Sequence, residues 1–168
     1  MKLITSSQKE LNLILNIISE AQESLKSYNI DQWQNGYPNR EVILEDIAKA
    51  QGYSVYLDNE LIAYLVISFD GEPDYDVLNN GTWLKDAKYA VIHRLCLSKK
   101  YKGQKLSKEI LSLAHEYVLA KGFSYIRIDT HEDNFIMHNL LINCGYHLAG
   151  EIVLGRDNTL RNAYDIIL

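Results

Sequence analysis

The chain has 168 residues, 47% hydrophobic and 23% charged, with two prolines and a net charge of −5. A chain this long buries roughly 70% of its unfolded surface, so it needs neither disulfides nor metal to fold, and residues 1–168 read as one domain. The anionic balance argues against a dedicated nucleic-acid binder, which needs excess positive charge, and no apolar run is long enough to span a membrane.

The N-terminus, MKLITSSQKE, turns polar too soon to serve as a signal peptide. Ser7 and Glu10 form a capping-box pattern. Leu11, Ile14, Leu15, Ile18, Ala21 and Leu25 then recur at helical spacing, predicting a helix over residues 8–28. Residues 31–38 read as a loop. Pro38 suits the start of a second helix through Val42, Ile43, Ile47 and Ala48, stopped by Gly52. Two β-like runs, 53–57 and 61–69, flank Asp58-Asn59-Glu60 as a hairpin.

Residues 70–88 are polar and turn-rich around Trp83. Tyr89–Leu97 is a nearly continuous apolar strand, interrupted only by His93 and Arg94. Leu106, Ile110, Leu113, Tyr117 and Val118 mark a third helix ending at Gly122, and residues 123–130 form a further strand. Asn134 caps a short helix that ends at Gly145, and two last strands occupy 146–154 and 163–168. This order predicts an α/β (α+β) protein with one mixed sheet flanked by helices. Cys96 and Cys144 lie far apart and at no zinc-ligand or CxxC spacing, which predicts no metal site and a reduced, cytoplasmic setting.

The chemistry gathers where the strand ending at Leu97 runs through a glycine-containing loop into the third helix. Lys99, Lys100, Lys102, Lys105 and Lys108 crowd that helix start. A helix N-terminus repels cations, so stacked lysines there make sense when a polyanion completes the site. The competing reading is a solvated basic face.

Lys102-Gly103-Gln104-Lys105-Leu106-Ser107-Lys108 resembles motif A of the GNAT N-acetyltransferases, Arg/Gln-x-x-Gly-x-Gly/Ala, whose backbone amides hold the coenzyme A pyrophosphate. Lys102 stands at the Arg/Gln position, Lys105 at the central glycine and Ser107 at the final small residue. If the central position requires a positive φ, Lys105 carries backbone strain. Asp129 to Asn134, followed by Met137, Leu140, Gly145 and Tyr146, resembles the family's Asn-x-x-Ala-x-x-x-Tyr-x-x-x-Gly-Phe/Tyr segment. Residues 33–46, WQNGYPNREVILED, resemble its first loop and second helix.

The resemblance implies the GNAT fold, with a mostly antiparallel sheet, and transfer of the acetyl group of acetyl-CoA to a primary amine of a small molecule or peptide. The amine attacks directly in a ternary complex. By this resemblance Leu95, Cys96 and Leu97 offer backbone hydrogen bonds to the pantetheine arm, and Asn134 contacts the coenzyme. Trp33 and Tyr37 line the acceptor side. Asp129, where some members carry a catalytic Glu, and His93, a strand histidine, are both candidate general bases. The family's acidic tyrosine falls at Leu141, which cannot donate a proton, so Tyr146 and Tyr164 are the nearby substitutes.

Many relatives are dimers, so a homodimer stays open. The alternative to an enzyme is a non-catalytic acyl-CoA-binding module. A nucleotide-phosphate binder is a third reading, though no Walker or dinucleotide glycine pattern is present. Cys144 as a nucleophile and His131-Glu132-Asp133 as a metal site both lack partners at suitable spacing.

Overall fold

A computed structural model describes residues 1–168. In chain order the elements are β1 (Lys2–Thr5), α1 (Leu11–Ser27), α2 (Arg40–Ala48), β2 (Gly52–Leu57), β3 (Glu60–Ser68) and β4 (Ala90–Leu97). There follow α3 (Leu106–Ala120), β5 (Tyr125–His131), α4 (Phe135–Asn143), β6 (His147–Val153) and β7 (Leu160–Ile167). The seven strands form one sheet in the order β1-β2-β3-β4-β5-β7-β6. The β4/β5 pair is parallel, whereas β1/β2, β2/β3, β5/β7 and β6/β7 are antiparallel. The mixed, mostly antiparallel sheet with flanking helices is the expected one. β1 is an addition, because its four residues, Lys-Leu-Ile-Thr, are too few to carry a strand pattern, and pairing with β2 from Lys2↔Tyr56 to Thr5↔Tyr53 creates it.

The chain divides into two compact units, Met1–Ile67 with His93–Ala114 and Ser68–Ile92 with His115–Leu168. In the first unit, α1 starts where the Glu10 carboxylate accepts the Ser7 N–H at 2.6 Å, closing one orphan donor of the helix start. Its apolar stripe, Leu11, Ile14, Ile17 and Ile18, packs with Ile43 of α2 and with Leu61, Tyr64, Val66 and Cys96. Asn39, one residue beyond the expected Pro38, caps α2 by accepting the Val42 N–H at 3.1 Å. Asp58 and Asn59 turn the β2/β3 hairpin at φ +49° and +66°, the left-handed pair that such short turns favour.

In the second unit β7 lies between β5 and β6, and the turn-rich segment 70–88 is anchored at several points. The Arg127 guanidinium stands 4.1 Å from the ring centres of both Trp83 and Tyr89 and donates to the Lys85 carbonyl at 3.1 Å. The Asp165 carboxylate, fully buried, accepts the Leu84 N–H and the Tyr125 hydroxyl, each at 2.6 Å. Residues 79–82 close the outer edge of β6 through Asn79–Glu151 and Thr82–Ala149 backbone bonds, covering an edge that otherwise invites foreign strands. Gly81 makes this approach feasible, since a Cβ there would lie 1.8 Å from the Ala149 carbonyl oxygen. No helix is long and apolar enough to cross a membrane.

Candidate active site

Within the first unit, the decisive irregularity is in β4. Arg94 adopts φ +53° inside the strand, a region that non-glycine residues rarely enter. Its side chain is held on all sides. Nε and Nη2 donate to the two Asp46 oxygens at 2.9 and 2.6 Å, and Nη1 donates to the Tyr37 hydroxyl. The Tyr64 hydroxyl adds a bond to Asp46 Oδ2 at 2.9 Å. Burial works against the guanidinium's charge, but Tyr37 and Asp46 outweigh it and raise its pKa. Burial, helped by Asp46, pushes the Tyr64 phenol far above its ordinary range.

Two residues expected on the acceptor side thus have distinct settings. Tyr37 belongs to the Arg94 cluster, whereas Trp33, at φ +67°, packs against the core formed by α1, α2 and β3. Beyond Arg94, Leu95 and Leu97 are half-buried and Cys96 is buried, its Sγ 3.6 Å from the Tyr64 carbonyl. Cys96 and Cys144 both remain thiols. Burial pushes the Cys96 thiol up to about 12, so it offers no thiolate near neutrality.

β4 leads through a turn at Lys99–Tyr101 to the loop that opens α3 at Leu106. Gly103 has φ +78° and Lys105 φ +62°, so the position of the family's central glycine does adopt the left-handed conformation. Lys102, Gly103, Gln104, Lys105 and Lys108 are exposed, while Leu106 and Ser107 are half-buried. The first turn of α3 carries N–H groups with no partner inside the helix. Of the five lysines, Lys100 alone is paired with a carboxylate, Glu60, at 2.6 Å. The Glu20 carboxylate accepts the Lys99 N–H at 2.7 Å. Desolvation lowers the pKa of Lys102. Replacing Lys105 by glycine removes the left-handed penalty at the cost of a more flexible unfolded chain. We expect Lys105→Gly to stabilise the protein by about 0.5–1 kcal/mol, read as a small rise in urea midpoint.

The second unit holds the remaining candidates. Asp129 of β5 accepts the Tyr75 hydroxyl on Oδ1 at 2.6 Å. Tyr75, itself 1% exposed, comes from a short turn in segment 70–88. The bond fixes the direction of a half-buried carboxylate. Tyr75 carries no signal in sequence, because a tyrosine in a polar loop reads as surface. Asn134 caps α4, accepting the Met137 N–H at 3.1 Å. Leu141, at the family's tyrosine position, is fully buried.

Tyr146 is 3% exposed, and its hydroxyl lies 2.8 Å from His115 Nε2; burial pushes its phenol far up, so it stays protonated. Tyr164 meets His138 Nδ1 at 2.8 Å. His93, half-buried, precedes Arg94 in β4. The Asp133 N–H donates to His131 Nδ1 at 3.2 Å, so that cluster forms a local turn.

Burial lowers the pKa of His115 below its ordinary 6.5. The unfolded chain therefore takes up this proton at a higher pH than the folded one. Stability conferred by the neutral imidazole is complete above about 6.5 and declines as pH falls through that value toward the lowered folded pKa. We expect His115→Gln to flatten this part of the stability curve, measured as Tm between pH 7.5 and 5.5.

A model described as the acetyltransferase (GNAT) family matches residues 18–146. Among solved structures, a GNAT-family acetyltransferase from Streptococcus agalactiae 2603 is 30% identical with a TM-score of 0.90, covering 99% of this chain and 95% of that one. A GNAT-family acetyltransferase from Listeria monocytogenes 4b F2365 is 19% identical, with a TM-score of 0.76 and coverage of 99% and 94%. The PaiA N-acetyltransferase of Thermoplasma acidophilum, solved in complex with coenzyme A, is 16% identical, with a TM-score of 0.69 and coverage of 99% and 98%. The last two likenesses are of fold. None of the curated proteins compared with the chain matches it. With most of its length matched by the family model and a 30% identical structure superposing over nearly all of it, the chain belongs to the GNAT acetyltransferase family.

Proposed function

We propose that this protein is an acetyl-CoA-dependent N-acetyltransferase acting on a primary amine of a small molecule or peptide. The observation that carries the reading is the loop from Lys102 to Lys108. It adopts left-handed backbone at Gly103 and Lys105, opens a long helix, and concentrates cations where a helix ordinarily prefers acids. A diphosphate supplies the negative charge that such a loop invites. PaiA, which shares the fold, holds coenzyme A.

In the proposed reaction the loop's backbone N–H groups, with Lys102 and Lys108, bind the pyrophosphate. Backbone groups of Leu95, Cys96 and Leu97 hold the pantetheine arm and the acetyl carbonyl, and Asn134 contacts the coenzyme. Asp129 removes a proton from the substrate ammonium. The amine lone pair then attacks the thioester carbon, the nitrogen gives up its second proton to solvent, and the tetrahedral intermediate collapses as the C–S bond breaks to leave coenzyme A thiolate and the neutral amide. Tyr146, whose hydroxyl lies 2.8 Å from His115 Nε2, is the proposed proton donor to that thiolate. Asp129 is preferred over His93 as base because Tyr75 fixes its carboxylate at 2.6 Å.

Release of coenzyme A thiol from acetyl-CoA, followed across a panel of primary amines and amine-terminated peptides, tests the function. Amine-dependent release supports it. Coenzyme binding without release for any amine favours the non-catalytic acyl-CoA-binding module.

A further inference from the structure

We propose that Arg94 and Asp46 are a positioning pair that sets the backbone of β4 for acyl-CoA. This rests on the reading that the pantetheine arm follows Leu95–Leu97. Arg94 is the one residue of β4 at positive φ, directly before that segment. In an extended strand successive side chains alternate between faces, and a left-handed residue breaks the alternation and turns the peptides that follow. Such a conformation persists only where its surroundings over-determine it. Here they do: both Asp46 oxygens and the Tyr37 hydroxyl take the guanidinium, and Tyr64, fully buried, fixes Asp46.

The same contacts hold the guanidinium in place. Nε, Nη1 and Nη2 each donate one bond within the cluster, so three of the five guanidinium N–H groups are engaged and Asp46 and Tyr37 set its orientation. Asp46, 5% exposed and bonded to Arg94 and Tyr64, is likewise committed. The pair acts through the strand. Its anchor is α2, so the helix and β4 are locked by a bidentate contact whose planar geometry a lysine cannot reproduce.

The test compares Arg94→Gly with Arg94→Ala, which both remove the clamp but differ in tolerance of φ +53°. Two readouts are taken: hydrogen exchange of the Leu95–Leu97 amides without coenzyme, and acetyl-CoA Kd with separate KM values for acetyl-CoA and acceptor. The expected result is faster exchange of those amides in both variants. Acetyl-CoA affinity should fall on the order of tenfold in Arg94→Ala and clearly less in Arg94→Gly, with acceptor KM less affected than the KM for acetyl-CoA.

Equal losses in the two variants, with a raised acceptor KM, would assign Arg94 to the acceptor and overturn the proposal. Unchanged amide exchange would overturn it as well. If the wild-type protein binds no acetyl-CoA, the proposed function fails, while the exchange comparison still decides whether the pair sets the strand. Should either variant lose its fold, Asp46→Asn, which keeps side-chain shape and one acceptor, serves for the same exchange measurement with the same expected direction.

Discussion

Asp46→Ala is expected to cost about 3 kcal/mol of folding free energy, at the lower end of the range for removing one partner of a buried ion pair. The substitution strands the Arg94 guanidinium, whose side chain is 14% exposed, and takes the acceptor from the fully buried Tyr64 hydroxyl. Partial exposure of Arg94 lets water soften the loss, which is why the lower end applies. For a chain of this size 3 kcal/mol corresponds to a fall in Tm of roughly 6–10 °C, and it should also appear as a lower urea midpoint at unchanged slope. The double variant Asp46→Ala/Arg94→Met should recover part of the loss, since the greater cost is an uncompensated charge and not the missing pair. Additive losses in the double variant would mean that the two residues are not coupled.

Asp129→Asn is expected to lower kcat by about 100-fold or more, the range associated with losing a positioned general base. Asparagine keeps the shape and a carbonyl oxygen able to accept the Tyr75 hydroxyl, now 2.6 Å from Asp129 Oδ1. The variant therefore removes basicity with little disturbance to segment 70–88. Acetyl-CoA affinity should stay at the wild-type value, because the coenzyme groups are assigned to residues 95–108 and Asn134. His93→Ala is expected to have the smaller effect. The reverse ranking would transfer the role of base to His93.

The fold was legible wherever periodicity decided it. The α1 stripe of Leu11, Ile14 and Ile18 and the hairpin at Asp58-Asn59 emerge where the residues put them. β1 was not, because its four residues gain their structure from pairing with β2 and not from their own pattern. At the candidate site, the left-handed turn at Lys105 follows from its place at a family glycine.

The Arg94–Asp46 cluster left half a trace. An arginine interrupts an apolar strand, and an aspartate falls three residues after Ile43 on the core side of a helix. Nothing in periodicity joins two residues 48 apart. The Tyr75–Asp129 bond, spanning 54 residues, left none. Trp33, placed on the acceptor side by family resemblance, is partly buried against the core of the first unit, the packing role that a large apolar ring also suits.

The proposed binding of acetyl-CoA by residues 95–108 is tested most directly by ligand-dependent thermal stability. At a hundred times Kd a ligand adds about 2.7 kcal/mol, a shift of several degrees for a chain of this length. Stabilisation by acetyl-CoA and coenzyme A, with none from ATP at the same concentration, is the predicted result. No shift at millimolar acetyl-CoA, or equal shifts with ATP, would contradict it: the lysine-rich loop would then bind no ligand, or phosphate in general.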